Sequence, residues 1–394
     1  MDYFKFLPLE IKLDIFTRVP AESVLDCKSV CSNWLGVVRH PLFSKMHIHR
    51  HLNRADDSGM LSFIAYSSDD EKFHYFECTE NYDESTTPVK RIKMLNLTSP
   101  FKESCSLVGS SNGLICLEAE SVCICNPITR EYVMLPQLKK TKYSYVSVAG
   151  FGYVSSTREY KVVGIRHEFK TESAELYVYT LGSGKGWRKL TSQLSVLSDW
   201  DGAGIFADGA LYRLDSELQF ILTFDLAEEK FCEHLSLPPL PQDSDECDHG
   251  IGVLNGFLYF GVRDEMDGLY NVWLLKKKID NHDMEGRDER QSLGWSKEFK
   301  VDGINLLAIT KSKCVLNHAS NRYLNIYDAE TSTSKRLVKF KNGISEVYPH
   351  KNTLVSLKEL GEEDTKTMES VGIEETRSSG SRRMRTYKLV SAVG

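Results

Sequence analysis

The 394-residue chain is poor in the patterns that usually announce a functional class. No apolar run approaches the ~18 residues of a membrane span, so no membrane association is expected. The opening Met1-Asp2-Tyr3-Phe4-Lys5 has no basic stretch leading into an apolar one. No secretory signal is therefore expected, and the chain is expected to be soluble and to work in the cytoplasm, the nucleus or both. Charge of one sign is missing too. Against 49 basic residues stand 55 acidic ones, and a net charge of −6 argues against a nucleic-acid surface, which needs a basic face. Ten cysteines are present, but none stands in C-x-x-C spacing. They are expected to be reduced, and mostly small core residues.

Catalytic motifs are also wanting. Gly182-Ser183-Gly184-Lys185-Gly186 has no Ser or Thr after its lysine, unlike a phosphate-binding loop, and reads as a hairpin turn before Trp187. The acidic Asp243-Ser244-Asp245 run with Asp248 has no late bidentate glutamate of a calcium loop. Neither a G-x-S-x-G elbow nor an H-E-x-x-H helix occurs. His47, His49 and His51 alternate along what reads as an extended segment, yet no nearby cysteine or second histidine pair completes a tetrahedron. Neither metal, cofactor nor catalytic residue is expected.

What is present begins with residues 1–52, which read as a small helical module of three short helices. Pro8 and Pro20 open the first two, and Pro41 stops the third. On the first helix, Leu9, Leu13 and Phe16 share one side, while Ile11 and Ile15 lie nearly opposite. One stripe suits a small core formed with Val24, Leu25, Val30, Trp34 and Val38. The second needs either a partner or burial inside a larger domain. A module of ~45 residues has too little core to be very stable alone, which fits a piece completed by binding.

Leu7-Pro8-Leu9-Glu10-Ile11, the turn Arg18-Val19-Pro20-Ala21-Glu22-Ser23, Val30-Cys31-x-x-Trp34, Pro41-x-Phe43 and His51-Leu52 resemble the plant F-box pattern in order and spacing. That resemblance implies docking on a Skp-type adaptor, and through it on a cullin. It places Leu7, Pro8, Ile11, Ile15, Val19, Pro20 and Leu25 against the adaptor, with Val30 and Trp34 behind them.

From about residue 58 the texture becomes short strands with turn punctuation. Residues 60–66, 72–78 and 89–97 are three strand candidates. One unit then recurs, starting at Gly109, Ala207, Val253 and, in weaker form, Ser312, with a variant containing FGYVSSTREYKVVGI between the first two. Asn112-Gly113, Asp208-Gly209 and Asn255-Gly256 supply the positive φ of two-residue hairpins. A third strand leads to a polar turn headed by Asn126, Asp225 or Asp328, and a fourth closes the unit. Gly209 and Gly256 are 47 residues apart, a period that suits a four-stranded kelch-like blade. A β-sandwich would not repeat such a unit. Residues 344–357 offer one spare strand, which would complete the first blade. The expected fold is thus a small all-α module followed, over residues 58–357, by an all-β, kelch-like β-propeller of about six blades. Residues 358–394, rich in Glu, Thr, Ser and Arg, are expected to form a mostly disordered tail, with Arg382-Arg383-x-Arg385 either a nuclear-import patch or merely solvated.

The segments SSNGLICL, NPITREYVMLP, REYKVV, VYTLGSGKGWRKL, ADGALYRL, FDLAEEKF, GVLNGFLY and VWLLK are similar to the F-box-associated domain of plant F-box proteins. The charged insertion at residues 276–292 and the missing hairpin glycine in the last unit depart from it. Together the two resemblances imply a non-catalytic substrate receptor of an SCF-type ubiquitin ligase, with a propeller scaffold that serves no ligase as the alternative. Blade geometry puts the loops after each second and fourth strand on the face opposite the Asn-Gly hairpins. Arg166, His167, Asp199, Trp200, Asp201, Arg263 and Asp264 fall there as candidate target contacts, with Trp200 as the anchor. Carboxylates outnumber basic groups in these loops, which favours a target with a basic segment.

Overall fold

The computed structural model describes residues 3–40, 42–53, 60–67, 69, 71–79, 89–95, 100–101, 104–169, 173–190, 202–215, 217–240, 248–277, 293–303, 305–319, 322–368, 373–375 and 385–387. Pro8 and Pro20 sit in extended backbone immediately before α1 (Leu9–Phe16) and α2 (Ala21–Cys27), where a missing N–H breaks no helical bond. Helices α3 (Ser32–Val38) and α4 (Phe43–Asn53) follow. The rings of Phe4, Phe16 and Trp34 meet in a triangle, with Phe16 edge-on to Trp34 at 5.1 Å between centroids.

α4 corrects the sequence reading of the histidines. On a helix, residues two apart point about 200° away from each other, so His47 and His49 share no face. His47 is buried and its Nε2 meets the Val19 carbonyl at 2.8 Å, whereas His49 is exposed. Leu9, expected in the inner stripe with Leu13 and Phe16, is 41% exposed, because it starts the helix beyond the reach of the core.

Apart from a separate antiparallel pair, Ile373–Glu375 with Arg385–Tyr387, the described strands form six blades. Blade 1 holds β1 (Met60–Ser67), β2 (Lys72–Thr79) and β3 (Val89–Leu95). Blade 2 is β4 (Ser106–Ser111), β5 (Leu114–Glu118), β6 (Val122–Cys125) and β7 (Glu131–Met134). Blade 3 is β8 (Ser144–Val154), β9 (Glu159–Glu168), β10 (Ser173–Thr180) and β11 (Trp187–Lys189). Blade 4 is β12 (Ile205–Ala207), β13 (Ala210–Leu214), β14 (Phe220–Asp225) and β15 (Lys230–Phe231), with β16 (Leu235–Ser236) also paired to β14. Blade 5 is β17 (His249–Leu254), β18 (Phe257–Arg263), β19 (Tyr270–Lys277) and β20 (Leu293–Val301). Blade 6 is β21 (Leu306–Ile309), β22 (Cys314–Ala319), β23 (Tyr323–Asp328) and β24 (Thr333–Lys339).

The ring closes as the spare strand suggested. β25 (Glu346–Pro349) pairs antiparallel with β1, Tyr66 opposite Glu346 and Phe63 opposite Pro349, and becomes the inner strand of blade 1. The inner strands β4, β8, β12, β17, β21 and β25 then touch one another in a circle. The three expected hairpins are as read: Asn112, Asp208 and Asn255 have φ of 44°, 44° and 50°, and the glycine after each is also positive. The segment 182–186 is the turn between β10 and β11.

Past the expected boundary at residue 357 the chain stays on the propeller. A short helix α5 (Leu357–Leu360) rests against blade 3 at Gly182, where an added Cβ would lie 1.7 Å from the Leu360 carbonyl oxygen. The buried Glu362 accepts from the Gly182 N–H at 2.7 Å and from the Tyr179 hydroxyl. β26 (Lys366–Thr367) then adds a fifth strand to β7, and Met368 is buried. Residues 350–368 thus form a strap over blades 1 to 3, in place of the start of a disordered tail.

Candidate functional site

The strap decides where the helices sit. Leu13, Phe16, Ala21, Val24, Val37 and Phe43 share one apolar cluster with Ile128, in the turn between β6 and β7, and Leu354, in the strap. Ser44 Oγ donates to the Leu354 carbonyl at 3.0 Å, and the Asn352 amide donates to Glu22 on α2. The helical core is therefore continuous with the propeller. It packs on the hairpin face, and among the described residues no helix lies on the opposite face.

Asn126 fastens the strap from beneath. Its Oδ1 accepts from the Ile128 and Thr129 N–H groups, as Asp225 does from Ala227 and Glu228 and Asp328 from Glu330 and Thr331. Only an amide can also give two hydrogens, and Asn126 Nδ2 donates to the Thr353 and Val355 carbonyls at 3.0 and 2.8 Å. Glu131 adds bonds from Ser356 Oγ and the Leu357 N–H. His350, fully buried, lies between the Ser110 hydroxyl at 2.9 Å and Asn352 Oδ1 at 3.1 Å. Ser110, His350, Asn352 and Glu22 thus form a hydrogen-bonded chain from an inner strand to α2.

With that bed occupied, the outer side of the helices is apolar and open. Ile11 is 47% and Ile15 40% exposed, and Val30 is exposed although the sequence reading put it in the core. Pro8 and Pro20 are exposed, while Leu7, Val19 and Leu25 are half-buried. Trp34 is half-buried and committed to its ring triangle. The exposure of Phe6, Leu42 and Met46 on the same module was not foreseen. Seven of the eleven large exposed hydrophobics among the described residues lie before residue 54, so this module carries the main apolar patch.

The far face is more scattered. Arg166, at the far end of β9, is paired with Glu175 and donates to the Lys139 carbonyl at 3.1 Å. Glu175 is raised by burial, but hydrogen bonds from Lys189 and Tyr177 and the charge of Arg166 hold it below the usual carboxylate range. His167 is buried, stacked on Tyr145 at 4.4 Å between centroids, so its ring offers a target little surface. Tyr145 in turn stacks on the exposed Phe169. Arg263 and Asp264 belong to blade 5, where Asp264 pairs with Lys300 at 2.7 Å and accepts from the Met266 N–H. Lys300 and Met266 hold the Asp264 carboxyl below its ordinary value. Blade 4 separates the two groups, so they are not brought together. Asp199, Trp200 and Asp201, with most of the insertion at 276–292, lie outside the described residues.

A family model described as F-box associated beta propeller domain matches residues 61–267, more than half of the chain, and one described as F-box-like matches residues 4–49. The chain belongs to the F-box-associated propeller family. Its relatives include Putative F-box protein At3g52320 of Arabidopsis thaliana, 27% identical over 57% of this chain and 58% of that protein. F-box/kelch-repeat protein At3g04660 of the same plant is 26% identical over 70% of this chain and 71% of the relative. F-box protein DOR, also from Arabidopsis thaliana, is 25% identical over 58% and 61%. The match thus spans under two thirds of the first and third of these relatives. The F-box occupies the α1–α4 module, and the propeller is the F-box-associated domain, so the chain is an F-box protein of the plant type.

Proposed function

We propose that this F-box protein is the non-catalytic substrate-recognition subunit of an SCF-type E3 ubiquitin ligase. Its helices bind a Skp-type adaptor and through it a cullin, and its propeller holds a target protein for ubiquitin transfer carried out elsewhere in the assembly. The observation that carries the reading is the two-sided F-box: its inner side is seated on the propeller through Ile128 and Leu354, while Ile11, Ile15 and Val30 face outward with nothing over them among the described residues. An aliphatic face of that kind on a short helix is suited to a helical partner.

The target is assigned to the face opposite the hairpins. Support comes from the strap and helices, which cover part of the hairpin face, and, from the sequence alone, from Trp200 with its flanking Asp199 and Asp201. A basic target segment remains the chemistry that such acids favour.

The deciding experiment is affinity purification of the tagged chain, with blotting for Skp-type adaptor and cullin. Recovery of both, lost in an Ile11→Ala/Ile15→Ala double variant, supports the ligase reading. A chain that captures other proteins but never a cullin would be a scaffold. Replacing Trp200 by Ala and Asp199 and Asp201 by Asn should then reduce target capture while leaving cullin recovery intact.

A further inference from the structure

Over the far-face loops carboxylates outnumber basic groups, but the corner where the chain enters β8 and leaves β9 has the opposite sign. Lys139, Lys140 and Lys142 follow closely in the connection from β7 to β8, and all three are exposed. Among the described residues none of the three enters an ion pair. The acids beside them are already engaged. Glu168 accepts from Thr141 Oγ1 at 3.2 Å, Glu175 from Arg166 and Lys189, and Glu118 from the Val148 N–H at 2.9 Å. Glu120 lines a small cleft with Glu118 and Lys140. Arg166 and Lys189 are spent on Glu175, so the three lysines are the charges left for a partner.

The same corner is aromatic. Tyr143, Phe169, Phe257 and Met266 are the large hydrophobics exposed on the propeller among the described residues, and the first two adjoin. Phe169 is 66% and Tyr143 41% exposed, and the Phe169 N–H donates to the Tyr143 carbonyl at 2.9 Å. Tyr145 stacks against Phe169 at 5.2 Å between centroids and rests in turn on the buried His167 ring. The loop bearing Tyr143 is pinned as well. Thr141 Oγ1 accepts from the Tyr143 N–H, Ser144 Oγ from the Thr141 N–H, and the Lys139 carbonyl from Arg166. Rings set on a buried floor and a pinned loop lose little freedom when covered, which favours binding. An exposed aromatic pair rimmed by charge has the make-up of an interface anchor.

We propose that this corner docks an acidic segment of the target protein. One apolar or aromatic side chain of that segment covers Phe169 and Tyr143, and flanking carboxylates meet Lys139, Lys140 and Lys142. The inference rests on the assignment of targets to the far face. It adds to that face a second contact, opposite in charge to the one drawn around Trp200.

The test pans a random peptide library displayed on phage against the full chain. Selected peptides, synthesised with a fluorescent label, are then titrated by anisotropy. Enriched peptides should carry Asp and Glu around one aromatic or large aliphatic residue. Their affinity should fall several-fold between about 50 and about 200 mM salt. Phe169→Ala should weaken binding about tenfold or more, and so should Lys139→Glu/Lys140→Glu/Lys142→Glu. Phe257→Ala removes an equally exposed ring beside a hairpin and should leave affinity unchanged. No enrichment, peptides without an acidic excess, or affinity unmoved by the Phe169 and lysine variants each overturns the proposal. Basic peptides that depend on Trp200 would overturn it while leaving the far-face reading intact. Peptide composition and salt dependence are read on the unaltered chain, so they decide even if a variant folds poorly.

Discussion

Asn126 Nδ2 donates to the Val355 carbonyl at 2.8 Å, tying the turn of blade 2 to a segment 229 residues further along. The same side chain shapes its own turn through Oδ1. Asn126→Asp should therefore keep the turn and lose the strap, since a carboxylate would face two carbonyls it cannot bond. Leaving those groups unsatisfied should cost about 1–3 kcal/mol, read as a lower unfolding temperature and as faster proteolysis within residues 350–368. Asp328→Asn, at the equivalent turn of blade 6 and without a strap above it, should change stability by less than about 1 kcal/mol.

His350 makes the strap sensitive to acid. Burial pushes its pKa from 6.5 down to about 4, with the Asn352 bond opposing. An unfolded chain binds the proton first, so the neutral ring contributes its full stability above about pH 6.5 and loses it progressively as pH falls towards about 4. The gap corresponds to about 3 kcal/mol, at about 1.4 kcal/mol per pKa unit. Unfolding free energy should fall over that window in the unaltered chain and fall less in His350→Gln. Parallel curves for the two would remove His350 as the cause.

Ile11 and Ile15 are exposed, so truncating them should leave thermal stability nearly unchanged while weakening the adaptor. Each aliphatic anchor lost from a packed interface should cost about 2 kcal/mol, roughly thirtyfold in affinity. Unchanged affinity of Ile11→Ala/Ile15→Ala for a Skp-type adaptor, measured by calorimetry, would place the contact elsewhere.

A chain ending at Phe340 lacks β25 and the strap together. Blade 1 would lose its inner strand and expose the edge of β1, and the product should aggregate and melt without a sharp transition. Removing residues 1–53 is gentler but not silent. It uncovers Ile128 and Leu354, so the isolated propeller should fold with reduced stability, seen as a lower midpoint in urea.

Much of this architecture could be read from residue order. The Asn-Gly pairs, the capped turns at Asn126, Asp225 and Asp328, and the prolines before α1 and α2 act through local backbone geometry, which a sequence displays directly. What escaped notice acts at long range. Histidines at positions 47, 49 and 51 alternate like a strand because their identity, not their burial, has period two; the helix buries His47 and exposes His49. Ile128 and Leu354 are single apolar residues in irregular segments, so no periodicity marks them as the bed of the F-box. The strap reads as a polar tail because its attachment runs through backbone carbonyls and one buried glutamate. The far-face candidates suffered from the same blindness: Arg166 and His167 are spent on Glu175 and Tyr145.

Glu22 and Asn352 meet although 330 residues separate them, and that separation sets a clock on biosynthesis. At about 5–20 residues per second, the ribosome needs on the order of 15–60 s to deliver the second partner after the first. Through that interval the F-box is finished but its seat lacks Leu354. Leu354, the half of the bed that follows Ile128, then arrives beside the strand that closes the ring, so full seating of the helices waits on a complete propeller. Chains that end before Leu354 would carry an F-box whose inner side lacks half of its seat.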